Sequence, residues 1–199
     1  MPVTINGDGS ITGLSVGGLG SGVVNTATLA DGAASGSKLG TGSVIQVVQT
    51  YKTDTFNDSI TYNDETGDIT GLTASITPSN ASNKILIMFD VPTGNSASSR
   101  IGIKLYKAGS VLTGSLGAAS GSHSRVTSYC STMANDRSWA VSGKYLDTAG
   151  GTSSITYSLR LRIGNQASNT VYVNRQATLY DSPGSMVAGA SLILMEIAG

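Results

Sequence analysis

The sequence predicts an all-β protein, an antiparallel β-sandwich or jelly-roll head preceded by an extended glycine-rich anchor and a short trimeric neck. Three observations carry this. SITYSLRLRI (154–163) alternates strictly, with Ile155, Tyr157, Leu159, Leu161 and Ile163 on one face and Ser154, Thr156, Ser158, Arg160 and Arg162 on the other. A two-residue period over that length belongs to a half-buried antiparallel strand. Similar apolar runs recur about every ten residues with turn signals between them, the spacing of a sandwich. The first 43 residues hold 11 of the 26 glycines and no aromatic residue, so they bury too little apolar surface to order themselves alone.

That leader still carries recurring apolar residues, among them Val3, Ile5, Ile11, Leu14, Val16 and Leu19. These are the candidate anchor residues, expected to be ordered when other chains complete their core. SITGLSVGGL (10–19) reads as a short strand with a glycine turn, and Ala27–Ala30 as a short helical turn beside the Asp31-Gly32 turn signal. Small residues here let three chains approach closely around an axis. The expected division is therefore 1–43, attachment segment and neck, and 44–199, head.

In the head, SVIQVVQTYK (43–52) is rich in β-branched residues and reads as a strand, followed by DITGLTASI (68–76). KILIMFDV (84–91) is apolar on both faces, which predicts a central strand covered on both sides. RIGIKLYKAG (100–109), SRVTSYCST (124–132), RSWAVSGKYLD (137–147), TVYVNRQA (170–177) and ASLILMEIA (190–198) complete the set, with a glycine-rich turn around 114–121. The head is long enough to bury roughly 70% of the surface its unfolded chain exposes.

Composition excludes several functions. Charged residues are 12% of the chain and the formal net charge is zero, which suits neither phosphate neutralisation nor an anionic membrane surface. No run approaches the length of a membrane span. Cys130 stands alone, so it forms no intrachain disulfide and is expected to fill the core as a small apolar residue. MPVTINGDGS has neither a basic region nor an apolar run, so a secretory signal is not expected.

Catalytic chemistry is sparse. His123 is the single histidine, too few for a His-based triad or a zinc site. The glycines at 17–22 lack the Lys-Ser/Thr of a phosphate loop. Asp54, Asp58, Asp64, Glu65 and Asp68 form an acidic run that reads as a solvated loop; its spacing matches no calcium loop. The two Asn-X-Ser triplets at Asn57 and Asn80 mean little without a secretory route. No cofactor or metal is expected. Trp139, Tyr129, Tyr145 and Tyr180 are the side chains best able to stack on a sugar ring, although the pattern Trp139, Val141 reads as core. Loops 121–125, 164–169 and 180–184 are the candidate receptor-facing segments, with His123, Arg125, Asn165, Gln166, Asn169, Tyr180 and Asp181 as candidate contacts.

VTINGDGSITGLSVGGL (3–19) and TATLADGAASGSKLG (26–40) resemble the N-terminal and shaft text of tail-fibre and related virion proteins of tailed phages, especially those of marine bacteria, cyanobacteria included. GSVIQVVQTYKTDTF (42–56), ITPSNASNKILIMFDV (76–91), YLDTAGGTSSITYSLRLRI (145–163), TVYVNR (170–175) and ASLILMEIAG (190–199) are similar to their distal β domain. The resemblance implies a virion structural protein, assembled in the host cytoplasm as a homotrimer. It would bind other virion proteins, such as a tail adaptor or capsid, through residues 1–43, and a host-surface glycan or protein through its head, without catalysis. The LADGA unit occurs once, which implies a short shaft. Three other readings stand beside it: a head fibre or capsid decoration protein of the same architecture, a capsule depolymerase, and a cellular carbohydrate-binding module.

Overall fold

The computed structural model describes residues 4–5, 7, 11–12, 39–133, 137–164 and 168–199. The chain divides into two units, Met1–Leu39 and Gly40–Gly199. In the first, β1 (Thr4–Ile5) pairs antiparallel with β2 (Ile11–Thr12), setting Ile5 opposite Ile11. The candidate anchors Val3, Leu14, Val16 and Leu19, and the turn expected at 27–30, lie outside the described residues.

The second unit contains β3 (Val44–Lys52), β4 (Phe56–Thr61), β5 (Ala74–Ile76), β6 (Lys84–Asn95), β7 (Ser99–Lys107), β8 (Ser110–Val111), β9 (Ser128–Met133), β10 (Trp139–Thr148), β11 (Ile155–Ile163), β12 (Ser168–Val173) and β13 (Ala190–Ile197). Every pairing is antiparallel, in one six-stranded and one five-stranded sheet. The predicted all-β sandwich is the observed fold.

Strand β6 organises the larger sheet. β10 follows one of its edges from Lys84 to Thr93. The other edge is shared in series: β13 pairs with Lys84–Asp90, and β12 with Thr93–Asn95. Pro92, with no N–H to donate, falls in the gap between those partners, where its carbonyl accepts from the Asn174 N–H at 2.8 Å. This is how a proline survives in a central strand. β3 and β4 close the two wings, against β13 and β12. In the smaller sheet β7 plays the same part, with β11 on one edge and β8 and β9 sharing the other.

The alternating faces meet in a single core. Ile85, Ile87, Phe89 and Val91 of β6 and Leu192 and Leu194 of β13 join Ile101, Ile103 and Leu105 of β7 and Tyr157, Leu159 and Leu161 of β11. Cys130 is buried and unpaired, as expected, and burial pushes its thiol pKa up.

Three expectations need correction. The strand predicted over 68–76 is confined to Ala74–Ile76. Ahead of it Gly71 takes a φ of 78° and the Leu72 N–H bonds the Ile69 carbonyl at 3.0 Å, a turn that buries both apolar side chains. Residues 56–61 form a strand rather than part of a solvated loop, since Phe56 and Ile60 suffice to anchor an edge. Finally, β6 is central but covered on one face only: Leu86 and Met88 remain half-buried.

Close approach sets a testable limit at Gly94. A Cβ there would lie 2.5 Å from the Arg175 carbonyl oxygen and 2.9 Å from Gln176 Cα, both backbone atoms. Gly94→Ala should therefore destabilise the head by about 2–3 kcal/mol, read as a shift in the urea midpoint. An unchanged midpoint would mean that strand 170–176 crosses β6 differently.

Candidate functional site

The outer face of the five-stranded sheet carries a cleft of about 810 Å³. Its floor follows from register: Tyr129 of β9 and Arg162 of β11 both pair with Gly102 of β7. An aromatic ring and a guanidinium thus flank a position without a side chain. Val126 lies over Gly102, so closely that a Cβ there would meet its side chain.

Segment 113–127 builds one wall. It starts with a 3₁₀ turn, Thr113–Ser115, and is held to β7 by the Thr127 N–H on the Ile103 carbonyl at 2.8 Å. Thr127 Oγ1 accepts from the Leu105 N–H at 3.2 Å and shares a 2.9 Å hydrogen bond with Ser115 Oγ. Arg125 Nε donates to the Gly117 carbonyl at 2.7 Å, which fixes its stem across the loop. His123 and Arg125 are exposed in this wall, Arg100 and Gly164 lie on another side, and Tyr62 (58% exposed) and Tyr129 (64%) stand at the rim.

Arg162 shapes the cleft rather than reaching into solvent. It donates to the Asn63 carbonyl at 2.7 Å, to Asn63 Oδ1 and to Ser124 Oγ at 3.1 Å, tying the 62–64 turn to the loop that carries His123. Beneath it Glu65 accepts from Lys104, from the Tyr106 hydroxyl at 2.6 Å and from Arg162 at 3.4 Å. Burial pushes the Glu65 carboxyl up. The hydrogen bonds from Lys104 and Tyr106, with the charges of Lys104 and Arg162, outweigh this and hold it below its ordinary value. Arg160 pairs with Asp68 at 2.6 Å and lies 4.0 Å above the Tyr106 ring.

The acidic run is therefore dispersed among cations: Asp54 on Lys52, Glu65 on Lys104 and Arg162, Asp68 on Arg160. Among the described residues no three His, Cys, Asp or Glu side chains stand close enough to hold a metal ion. Among the same residues no helix is long and apolar enough to cross a membrane.

The other candidate contacts scatter. Asn165 and Gln166 lie outside the described residues. Asn169 is buried, which removes it from the receptor-facing set. Its Oδ1 accepts from Ser96 N and Oγ and from Ala97 N at 2.8–3.1 Å, so it pins the β6–β7 turn. Tyr180 and Asp181 are exposed but do not line the cleft. Tyr145 packs against the core. Trp139, expected in the core, is 53% exposed: it is the first residue of β10, where the strand outruns the buried Val141. It lines a second hollow of about 480 Å³ with Arg137, Asn174, Gln176, Gly184 and Met186.

A second feature is the outer face of the six-stranded sheet. The registers place Val47, Met195, Leu86 and Leu146 in one row across β3, β13, β6 and β10, with Ile193 and Met88 adjoining. Val47 is 55% and Leu146 53% exposed. Asp90 and Lys144 lie on the same face two rows and one row away, with no salt bridge among the described residues. The apolar band runs continuously across four strands, the kind of patch that on a protein surface is often functional.

Neither a protein-family model nor a curated protein matches the chain. Among solved structures it is similar to chains of infectious bursal disease virus. One is the Gx strain structure (13% identity, TM-score 0.38, 77% of this chain and 38% of that one). Another is the VP2 subviral particle (14%, 0.40, 77% and 37%). A third comes from T=1 particles derived from the virus (14%, 0.40, 77% and 36%). The chain thus spans less than two fifths of the length of these proteins.

Proposed function

We propose that this chain is a structural protein of a phage virion, a homotrimeric tail fibre that attaches the particle to the host surface by binding, without catalysis. The observation that carries the reading is the apolar outer face of β3–β13–β6–β10, exposed on a head whose own core is already complete. A face of this kind calls for covering by another subunit. Its most exposed large side chains, Tyr51 and Val47 on β3 and Leu146 on β10, sit on its two lateral strands. Three such faces set around a three-fold axis bring the β3 side of each copy against the β10 side of the next. Asp90 and Lys144 then supply opposite charges from neighbouring copies.

The cleft is the head's attachment surface in this reading, and three heads acting together turn weak contacts into useful avidity. Residues 1–43 join the fibre to other virion proteins. Labelling purified particles of the virus with antibody raised against residues 44–199 tests the placement. Label at the tail is expected, label spread over the capsid would instead indicate a decoration protein, and unlabelled particles would contradict a virion component.

A further inference from the structure

We infer that the cleft beside Gly102 takes an acidic saccharide, its carboxylate or sulfate groups held by Arg125 and its ring faces by Tyr129 and Tyr62. This rests on the attachment reading and names the ligand class for it. The chain holds only six arginines, yet Arg100, Arg125 and Arg162 all line this one cleft, together with His123 and no carboxylate. Arg125 commits only Nε to the Gly117 carbonyl, which leaves its two terminal nitrogens as the paired donors that match a carboxylate or sulfate. Two exposed tyrosines present flat apolar faces with a polar tip, the surface that pyranose rings stack on. Register sets Tyr129 and Arg162 on either side of Gly102, and the Val126 side chain packed over Gly102 gives the floor between them an apolar surface. Nucleic acid would call for a longer basic track than three arginines and one histidine provide.

The test is titration calorimetry of the full-length protein with alginate oligomers (carboxylated), dextran sulfate oligomers and neutral dextran. We expect either or both acidic oligomers to bind and neutral dextran not to. Arg125→Gln and Tyr129→Ala should each weaken binding about tenfold, with unchanged thermal melting, while Lys144→Gln on the opposite sheet should leave it unaltered. Equal loss in the Lys144 variant would reveal unspecific charge attraction and overturn the inference. So would failure of both acidic oligomers to bind, or tighter binding of a single-stranded oligodeoxynucleotide. Adsorption to host cells, measured in parallel, separates the two proposals: adsorption that persists when neither acidic oligomer binds overturns the saccharide site and leaves attachment standing. Saccharide binding without adsorption supports the site and contradicts the attachment reading.

Discussion

Glu196→Ala should destabilise the head by about 2–3 kcal/mol. Glu196 is fully buried near the end of β13 and forms no salt bridge among the described residues. Its carboxylate instead accepts from Gln46 Nε2 at 2.5 Å, Asn83 Nδ2 at 2.5 Å, Ser79 N at 2.7 Å and Ser79 Oγ at 2.8 Å. Four donors from β3 and from the turn before β6 thus converge on one side chain. Truncating it costs most at the buried Asn83 amide, about 1–3 kcal/mol, because Ser79 is exposed and Gln46 Nε2 also donates to the Thr77 carbonyl at 2.8 Å. Glu196→Gln should also destabilise, because an amide offers one acceptor oxygen and sets its own N–H₂ against donors. Urea unfolding of both variants measures this, and a loss below 1 kcal/mol in the alanine variant would contradict the role.

The same carboxyl makes the head acid-sensitive. Burial pushes its pKa up, and the hydrogen bonds from Gln46, Asn83 and Ser79 outweigh that and bring it below its ordinary 4.5. Glu65 is lowered too. A carboxyl whose folded pKa is depressed contributes stability that is full above its unfolded pKa and is lost as pH falls through the folded one. Melting temperature should therefore hold from neutral pH down to about 4.5–5 and drop below it, with a shallower drop in Glu196→Gln.

Val47→Asp combined with Leu146→Asp should separate the subunits while leaving each head folded. Both side chains are about half exposed in the single subunit, so a carboxylate there meets water and costs the monomer little. Buried between subunits, each apolar side chain contributes on the order of 1 kcal/mol from the area still left to cover. Three copies of each, replaced by carboxylates lacking partners, add up to several kcal/mol per assembly. Four strands about 4.8 Å apart over some seven residues give a face on the order of 400 Å² in plan. That is short of the roughly 800 Å² per partner of a stable interface, so the proposed trimer would need help from residues 1–43. Sedimentation of the double variant should show single subunits with unchanged melting. A persistent oligomer would place the contact elsewhere.

How much of this was legible in the sequence depends on the range over which the signal acts. The alternation of 155–163 fixed its buried face residue by residue, because one strand contains the whole pattern. Leu86 and Met88 marked β6 as apolar on both faces, but residue type does not say whether the second cover comes from the same chain. Trp139 read as core from its spacing to Val141, yet a strand's first residue can project past the layer it pairs with. Phe56 and Ile60 were outvoted by the Asn and Asp around them. The cleft was half visible: loop composition pointed to His123 and Arg125. Tyr62, Arg100 and Arg162 were not seen there, since only the pairing of Gly102 with Tyr129 and Arg162 unites them. Asn169 looked like a loop amide because its partners, Ser96 and Ala97, lie 73 and 72 residues away in sequence.

The central claim is that the glycine-rich leader and the apolar outer sheet face are completed by sister subunits. Sedimentation equilibrium of the full-length chain beside one lacking residues 1–43 tests it most directly. The account predicts a particle of three 20.2 kDa chains for the first and a weaker, concentration-dependent association for the second. A single compact subunit for the full-length chain at every concentration would contradict it.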